Sequence, residues 1–391
     1  MKTYARAALS GLLAVAALAL VVPAAQASFG VTEERFEAGT CTNTSCTYQS
    51  IKKNKGEAFT QAAGHPPWGI TKFELNHTGS GGSRFPEGAP LKRIRVDVPP
   101  GLAANPEALP KCTQSEFQAG SCPLNTKVGT TEMEAIAEPL PSVRVLLSGL
   151  KGNVFNVQPP IGLPLFFGIE VAPLAPLVAP VRLFLEGHVE WSGDYHEYFE
   201  INNVPTQGEI AGGIKAPLTV LTSQLNFDGR AGQGNFLTLP SACSSSTTSH
   251  LEVESYAGER SGTDTHTPVG VEGCDAVPFA PSTTVVPETA KSDAADGATT
   301  VVQVPQQVGA GETNTSDIKD AHVTLPEGLT LNPSAAHGLE ACSAAQIGIG
   351  TRNAVSCPAG SKVGTVAIET DLPPHSLVGS VFLGSPSGGT I

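Results

Sequence analysis

Nine histidines stand in this chain, at positions 65, 77, 188, 196, 250, 266, 322, 337 and 375, and their spacing matches no arrangement that does chemistry. A helical zinc site needs His-Glu-x-x-His, and none occurs. His188, His196 and Glu200 fall near one predicted hairpin, where adjacent strands present neighbouring side chains, but the polar face of a sheet carries such residues as a matter of course. There is no Gly-x-Ser-x-Gly elbow and no glycine-rich phosphate loop followed by Lys-Ser or Lys-Thr. Glu197 with Glu200, or Asp194 with Glu197, could supply the two acids of glycoside hydrolysis, yet close carboxylates arise by chance in an acidic protein. Of the two tryptophans, Trp68 follows His65-Pro66-Pro67 and Trp191 precedes Gly193-Asp194. They are the weak candidates for a ligand contact, since an indole stacks well on a sugar. Trp68 is more simply placed as a large aromatic packed at a strand entry. No catalytic, cofactor-binding or metal-ligating residue is assigned.

The eight cysteines form four sequence-local couples: Cys41 with Cys46, Cys112 with Cys122, Cys243 with Cys274, and Cys342 with Cys357. Zinc sites favour Cys-x-x-Cys spacings with histidine partners, which are absent, whereas an even count in an exported protein indicates disulfides. The chain also repeats itself. Val96-Asp97-Val98-Pro99-Pro100-Gly101-Leu102, Asn105-Pro106, Cys112, Cys122-Pro123 and Lys127-Val128-Gly129-Thr130 return as Val323-Thr324-Leu325-Pro326-Glu327-Gly328-Leu329, Asn332-Pro333, Cys342, Cys357-Pro358 and Lys362-Val363-Gly364-Thr365. A duplicated unit duplicates its internal bridge. Turn residues, cysteines and apolar positions are kept, with no acid, base or nucleophile beyond one lysine, so what was copied is scaffold.

These residues need strands to carry them. Leu91 to Val98 alternates Ile94, Val96 and Val98 with Arg93, Arg95 and Asp97, the period of a half-solvated strand. Ala321, Val323 and Leu325 repeat the pattern, which predicts a second strand with the same face buried. Thr113-Gln114-Ser115-Glu116 is a helix start with Thr113 as cap, giving a turn or two between Glu107 and Ala119. Gly152-Asn153-Val154-Phe155 recurs as Gly379-Ser380-Val381-Phe382. From Leu165 to Val171, Val181 to Trp191, Tyr195 to Asn202 and Leu218 to Phe227 strand follows strand. The Ser-Thr-rich stretch from Ser244 to Val271 is expected to be an excursion tied back by Cys243 and Cys274.

Lys2 and Arg6, an apolar run from Ala7 to Val22, and Ala25-Gln26-Ala27 make residues 1–27 a secretory signal peptide. The run is too short and alanine-rich for an anchor, and no membrane span is expected in the mature chain. The whole chain carries a formal charge of −13, or −15 once Lys2 and Arg6 are removed, which disfavours nucleic acid. With 42 Gly and 32 Pro, the composition suits short strands and many turns. The expectation is an all-β protein with minor helix: tandem β-sandwich-like modules with short disulfide-closed helical loops. Its parts are a signal peptide (1–27), an N-terminal β segment with a small cysteine loop (28–88), a first β module (89–277) and a second (278–391). The second lacks everything equivalent to Pro159 through Cys274 and is expected to be incomplete.

Ala63-Gly64-His65-Pro66, Pro100-Gly101-Leu102, Gly193-Asp194-Tyr195, Phe236-Leu237-Thr238-Leu239-Pro240 with Cys243, Gly273-Cys274-Asp275 and Leu325-Pro326-Glu327-Gly328 resemble a family of large, secreted, repeat-containing actinobacterial proteins that is uncharacterised. The resemblance brings no activity, cofactor or site residue. The export signal, the duplicated scaffold, the sequence-local bridges and the lack of a reactive constellation lead instead to the expectation of a secreted or cell-surface structural or adhesion-type protein, not an enzyme, whose partners would be a cell-wall or extracellular glycan or a protein. The alternative is an extracellular carbohydrate-binding or carbohydrate-active module.

Overall fold

Strand formation follows side-chain alternation, and the computed structural model shows how those strands close around one core. It describes residues 28–47, 55–191, 193–231, 234–305, 312–316, 318–324, 327–328, 340–351, 353–369 and 376–385. Residues 1–27, expected to be a signal peptide, and the repeat residues Leu325, Pro326, Leu329, Asn332 and Pro333 lie outside them.

The main strands in chain order are β1 (Phe36–Cys41), β2 (Trp68–Glu74), β3 (Leu91–Asp97), β4 (Lys127–Leu140), β5 (Val143–Asn156), β6 (Leu165–Val171), β7 (Val181–Val189), β8 (Glu197–Ile201), β9 (Gln207–Ile210), β10 (Ile214–Asp228), β11 (Thr248–Ser255) and β12 (Arg260–His266). They form one antiparallel sheet in the order β1-β2-β10-β4-β5-β6-β7-β8-β3-β11-β12, with β9 paired to β10. The sheet curls until its edges β1 and β12 are neighbours. There the Val31 N–H donates to Ser261 Oγ at 3.4 Å, and Gly30 lies so close that a β-carbon on it would meet Ser261 Oγ at 2.4 Å. The two halves thus face each other in a sandwich-like all-β fold. Residues 28–88 supply β1 and β2 of this same sheet, with β2 paired to β10.

Inward positions build the core. Ile94, Phe167, Ile169, Leu183, Leu185, Ile201, Leu251 and Val253 are all buried in one cluster. The ring of Phe167 lies 5.7 Å from Phe227 and 5.8 Å from Phe236. Burying one such aromatic side chain stabilises the fold by roughly 2–3 kcal/mol.

A smaller core lies on the outer face. Helix α1 (Gln114–Ala119) carries the capping box foreseen at Thr113 and Glu116, and ends at Gly120 with φ 70°. Six residues cannot hold a helix alone. Here the Cys112–Cys122 bridge closes the loop, and buried Phe117 packs with Phe155, Phe166 and Val157. Gly168 of β6 leaves the room: a β-carbon there would fall 2.5 Å from the Phe117 ring.

The stretch 244–271 is no loose excursion. It forms the hairpin β11–β12, and β11 pairs along β3 with Leu251 opposite Val96. The alternation of Leu251, Val253 and Ser255 with Glu252 and Glu254 drives it, so the Ser-Thr content misled. Cys243–Cys274 closes the base of this hairpin, and all four expected couples are bonded.

Beyond residue 278 lie the hairpin β13 (Ser282–Pro287) with β14 (Ala298–Gln303), helix α2 (Ala344–Ile347), and the hairpin β15 (Lys362–Glu369) with β16 (Ser376–Phe382). The predicted strand around Ala321 and Val323 is not formed over 318–324. Val323 is exposed, whereas its counterpart Val96 is half-buried on a paired strand. β3 is held on one edge by β8 and on the other by β11, and no strand of 278–391 stands in for either among the described residues.

Candidate functional site

The densest polar constellation lies on the outer face where β7, β8, β3 and β11 run side by side. Register places His188 opposite Tyr198, Tyr198 opposite Asp97 and Asp97 opposite His250. The next row holds Glu186, Glu200, Arg95 and Glu252. The central strand β3 is thus cationic and its flanks anionic.

Arg95 forks onto Asp97 at 2.9 and 2.5 Å, and its guanidinium carbon lies 3.7 Å from the centre of the Tyr198 ring. Tyr198 in turn stacks on His188, with centroids 4.9 Å apart and 11° between planes. Arg93 bridges Glu252 at 2.7 Å and also Glu200. Lys92 reaches Glu254 at 2.8 Å. His196 is clasped between Asp97, 2.8 Å from Nε2, and Asp194, 2.5 Å from Nδ1.

Burial alone would lower the His196 pKa, but hydrogen bonds and charge from Asp194 and Asp97 outweigh it and the net movement is upward. Burial alone would raise Asp97, yet Arg95 and His196 hold it below the ordinary carboxylate range. Asp97 and Asp194 thus hold the His196 ring in an electrostatic clasp that favours its charged form.

The carboxylate couples named for glycoside chemistry do not meet. An odd separation along a strand sends Glu197 and Glu200 to opposite faces: Glu200 lies with Arg93 on the outside, while Glu197 lines an interior cavity of about 110 Å³. Asp194 is outside with His196. The cavity is walled by Ile94, Val96, Phe199, Leu225, Phe227 and Phe236 among others, with Ser223 and Ser249 also lining it. Burial pushes the Glu197 carboxyl up to about 8, while the Ala104 N–H, donating at 3.4 Å, opposes this. Its side-chain parity with Phe199 and Ile201 was the signal that could have placed it inside.

Trp68 packs in a small core with Ile70 and the Cys41–Cys46 bridge. Trp191 is 49% exposed just beyond β7, and Tyr195, two residues from Gly193, is 50% exposed. His188, His196 and Glu200 each face a different partner, and among the described residues no group of three His, Cys, Asp or Glu could hold a metal ion. Among those same residues no helix is long and apolar enough to cross a membrane.

Comparison with known proteins found no matching family model, no matching curated protein and no matching solved structure.

The two segments of similar sequence also share local geometry. The Cys112 N–H donates to Asn156 O and its carbonyl accepts from Gln158, both at 2.8 Å. In the second copy the Cys342 N–H donates to Leu383 O at 2.8 Å and its carbonyl accepts from Ser385 at 3.0 Å. Ser343 and Gln346 form the same capping box as Thr113 and Glu116. The ladder starts with Lys127 opposite Phe155 and then shifts to Gly129 opposite Val154. It does so again with Lys362 opposite Phe382 and Gly364 opposite Val381.

Proposed function

We propose that this chain is an exported structural or adhesion-type protein, a rigid spacer assembled from disulfide-pinned β units, with no catalytic activity. One observation carries the reading: the two copies share bridge, cap, bulge and backbone hydrogen bonds, while what they conserve is scaffold. The outer polar face supports it, because its cations are committed to neighbouring strands and fix their register. Four disulfides fit an oxidising compartment outside the cytoplasm.

The test is localisation joined to turnover. Protease shaving of intact producing cells should release fragments of the protein. The purified protein should leave labelled polysaccharides and peptides unchanged. Turnover of any of them, lost when a residue lining the cavity is replaced, would overturn the reading.

A second reading is favoured by one specific feature. Trp191 and Tyr195 are exposed on the same connection, beside Asp194, a combination that suits stacking on a sugar with a carboxylate to accept its hydroxyls. A glycan array should then show binding that disappears in the W191A/Y195A variant.

A further inference from the structure

Large side chains fill the inside of the sheet except at one level. β1, β2 and β11 turn Phe36, Phe73 and Leu251 inward, all buried in the main core. Further along the same strands the inward residues are Ala38 and Thr40, then Thr71, then Ser249, and together with Ser223 of β10 they line the cavity of about 110 Å³. Protein interiors rarely leave a void larger than a water molecule, so this run of small residues has a structural consequence. The cavity wall is mostly apolar and partly open to solvent. Among the residues that line it, only Glu197 is ionisable. Glu197 is 8% exposed, its Oε2 accepts from the Ala104 N–H at 3.4 Å, and its Oε1 has no hydrogen-bond partner among the described residues.

We propose that the cavity is a binding site for a small neutral ketone, an apolar body of about four carbons whose carbonyl oxygen accepts a hydrogen bond from the Glu197 carboxyl.

Size, charge and the carboxyl proton each select that class. An apolar cavity of about 150 Å³ holds benzene, so this smaller one takes about five heavy atoms. A charged ligand would meet a single counter-ion in apolar surroundings, and the desolvation of both ions opposes that. Burial pushes the Glu197 carboxyl up to about 8. At neutral pH it therefore keeps its proton and donates, and a carbonyl oxygen can only accept.

No other titratable group faces Glu197 across the cavity. On β8 itself His196, Tyr198 and Glu200 take the opposite parity. So do Glu37 on β1, Lys72 on β2, Arg95 and Asp97 on β3, Glu186 and His188 on β7, Asp228 on β10, and His250 and Glu252 on β11. Lys92 is held by Glu254, and residues 98–105, which supply Ala104, include no charged side chain. His65 does not line the cavity; its Nδ1 lies 3.2 Å from the Leu237 carbonyl oxygen. This inference goes beyond the spacer reading and is separate from it, since the ketone is bound and released unchanged and either idea can fail alone.

The experiment titrates the whole chain with cyclobutanone and with methylenecyclobutane, a control of the same shape that lacks the oxygen, by saturation-transfer NMR. At about pH 6.5 cyclobutanone should bind saturably and about tenfold tighter than the control. At about pH 9.5 that preference should vanish, because a carboxylate cannot donate. Glu197→Gln keeps a donor and should hold the preference at both pH values. Ser249→Leu fills the cavity and should abolish binding of both molecules; should it fail to fold, the Glu197→Gln comparison still decides. Absence of saturable binding would overturn the proposal, as would equal binding of the two molecules at the lower pH. So would a preference that survives at the higher pH in the wild type, or binding that a folded Ser249→Leu variant retains.

Discussion

Replacing Glu197 with Gln tests how deeply the sheet encloses its core. The folded protein keeps the Glu197 proton until about pH 8, against an ordinary value of 4.5. An unfolded chain loses it near 4.5, so between these limits the native state binds more protons than the unfolded state. Stability therefore falls as pH rises across that window and levels off above it. At roughly 1.4 kcal/mol per unit, the full displacement costs on the order of 5 kcal/mol. Local water entry would reduce it.

Gln keeps the shape and cannot ionise. E197Q should match the wild type near pH 4.5 and exceed it by several kcal/mol at pH 8.5, with the ceiling set by the figure above. Urea unfolding at half-unit pH steps, followed through the fluorescence of buried Trp68, measures the difference. The raised His196 also contributes stability that is complete below its unfolded pKa of 6.5 and is lost as pH climbs through its folded value. That term is common to both proteins and cancels. Asp97 and Asp194, both lowered from 3.8, weaken the fold only as pH falls through their folded values. Parallel curves from pH 5 to 9 would refute the reasoning, because they would mean Glu197 is hydrated or ionised in the fold.

Other substitutions should separate the first copy of the unit from the second. C112S/C122S should lower stability by about 3 kcal/mol in the chain-entropy description of so short a loop, read as a shift in the urea midpoint. F117A should cost about 3–5 kcal/mol by opening a hole among Phe155, Phe166 and Phe184. Ile347, which follows its cap by the same interval as Phe117, is only half-buried, so I347A should cost less than about 1 kcal/mol. Arg93→Met leaves Glu200 and Glu252 facing each other and should cost about 1 kcal/mol at low salt and less at high salt, since these groups are partly exposed.

Local features were legible in the amino-acid order. The β3 alternation, the capping pattern at Thr113 and Glu116 and the four cysteine couples depend on residues near one another in the chain. Pairing was not legible. β3 lies between strands that begin at Glu197 and Thr248, and nothing within Leu91–Asp97 names them. The same limit applies to 318–324: a similar alternation forms no strand there, and no partner strand lies beside it among the described residues. Glu197 shows a finer failure, since counting parity from Phe199 would have turned it inward, whereas pairing it with Glu200 ignored that period. Trp68 followed the rule that large aromatics are buried.

The proposed function depends on a unit whose bridge is internal to each of its two occurrences. Non-reducing peptide mapping of the purified native protein measures this directly. It should recover Cys112 joined to Cys122 and Cys342 joined to Cys357, each within one short loop. Free thiols at these positions, or bonds from either couple to distant cysteines, would contradict the duplicated scaffold and the function drawn from it.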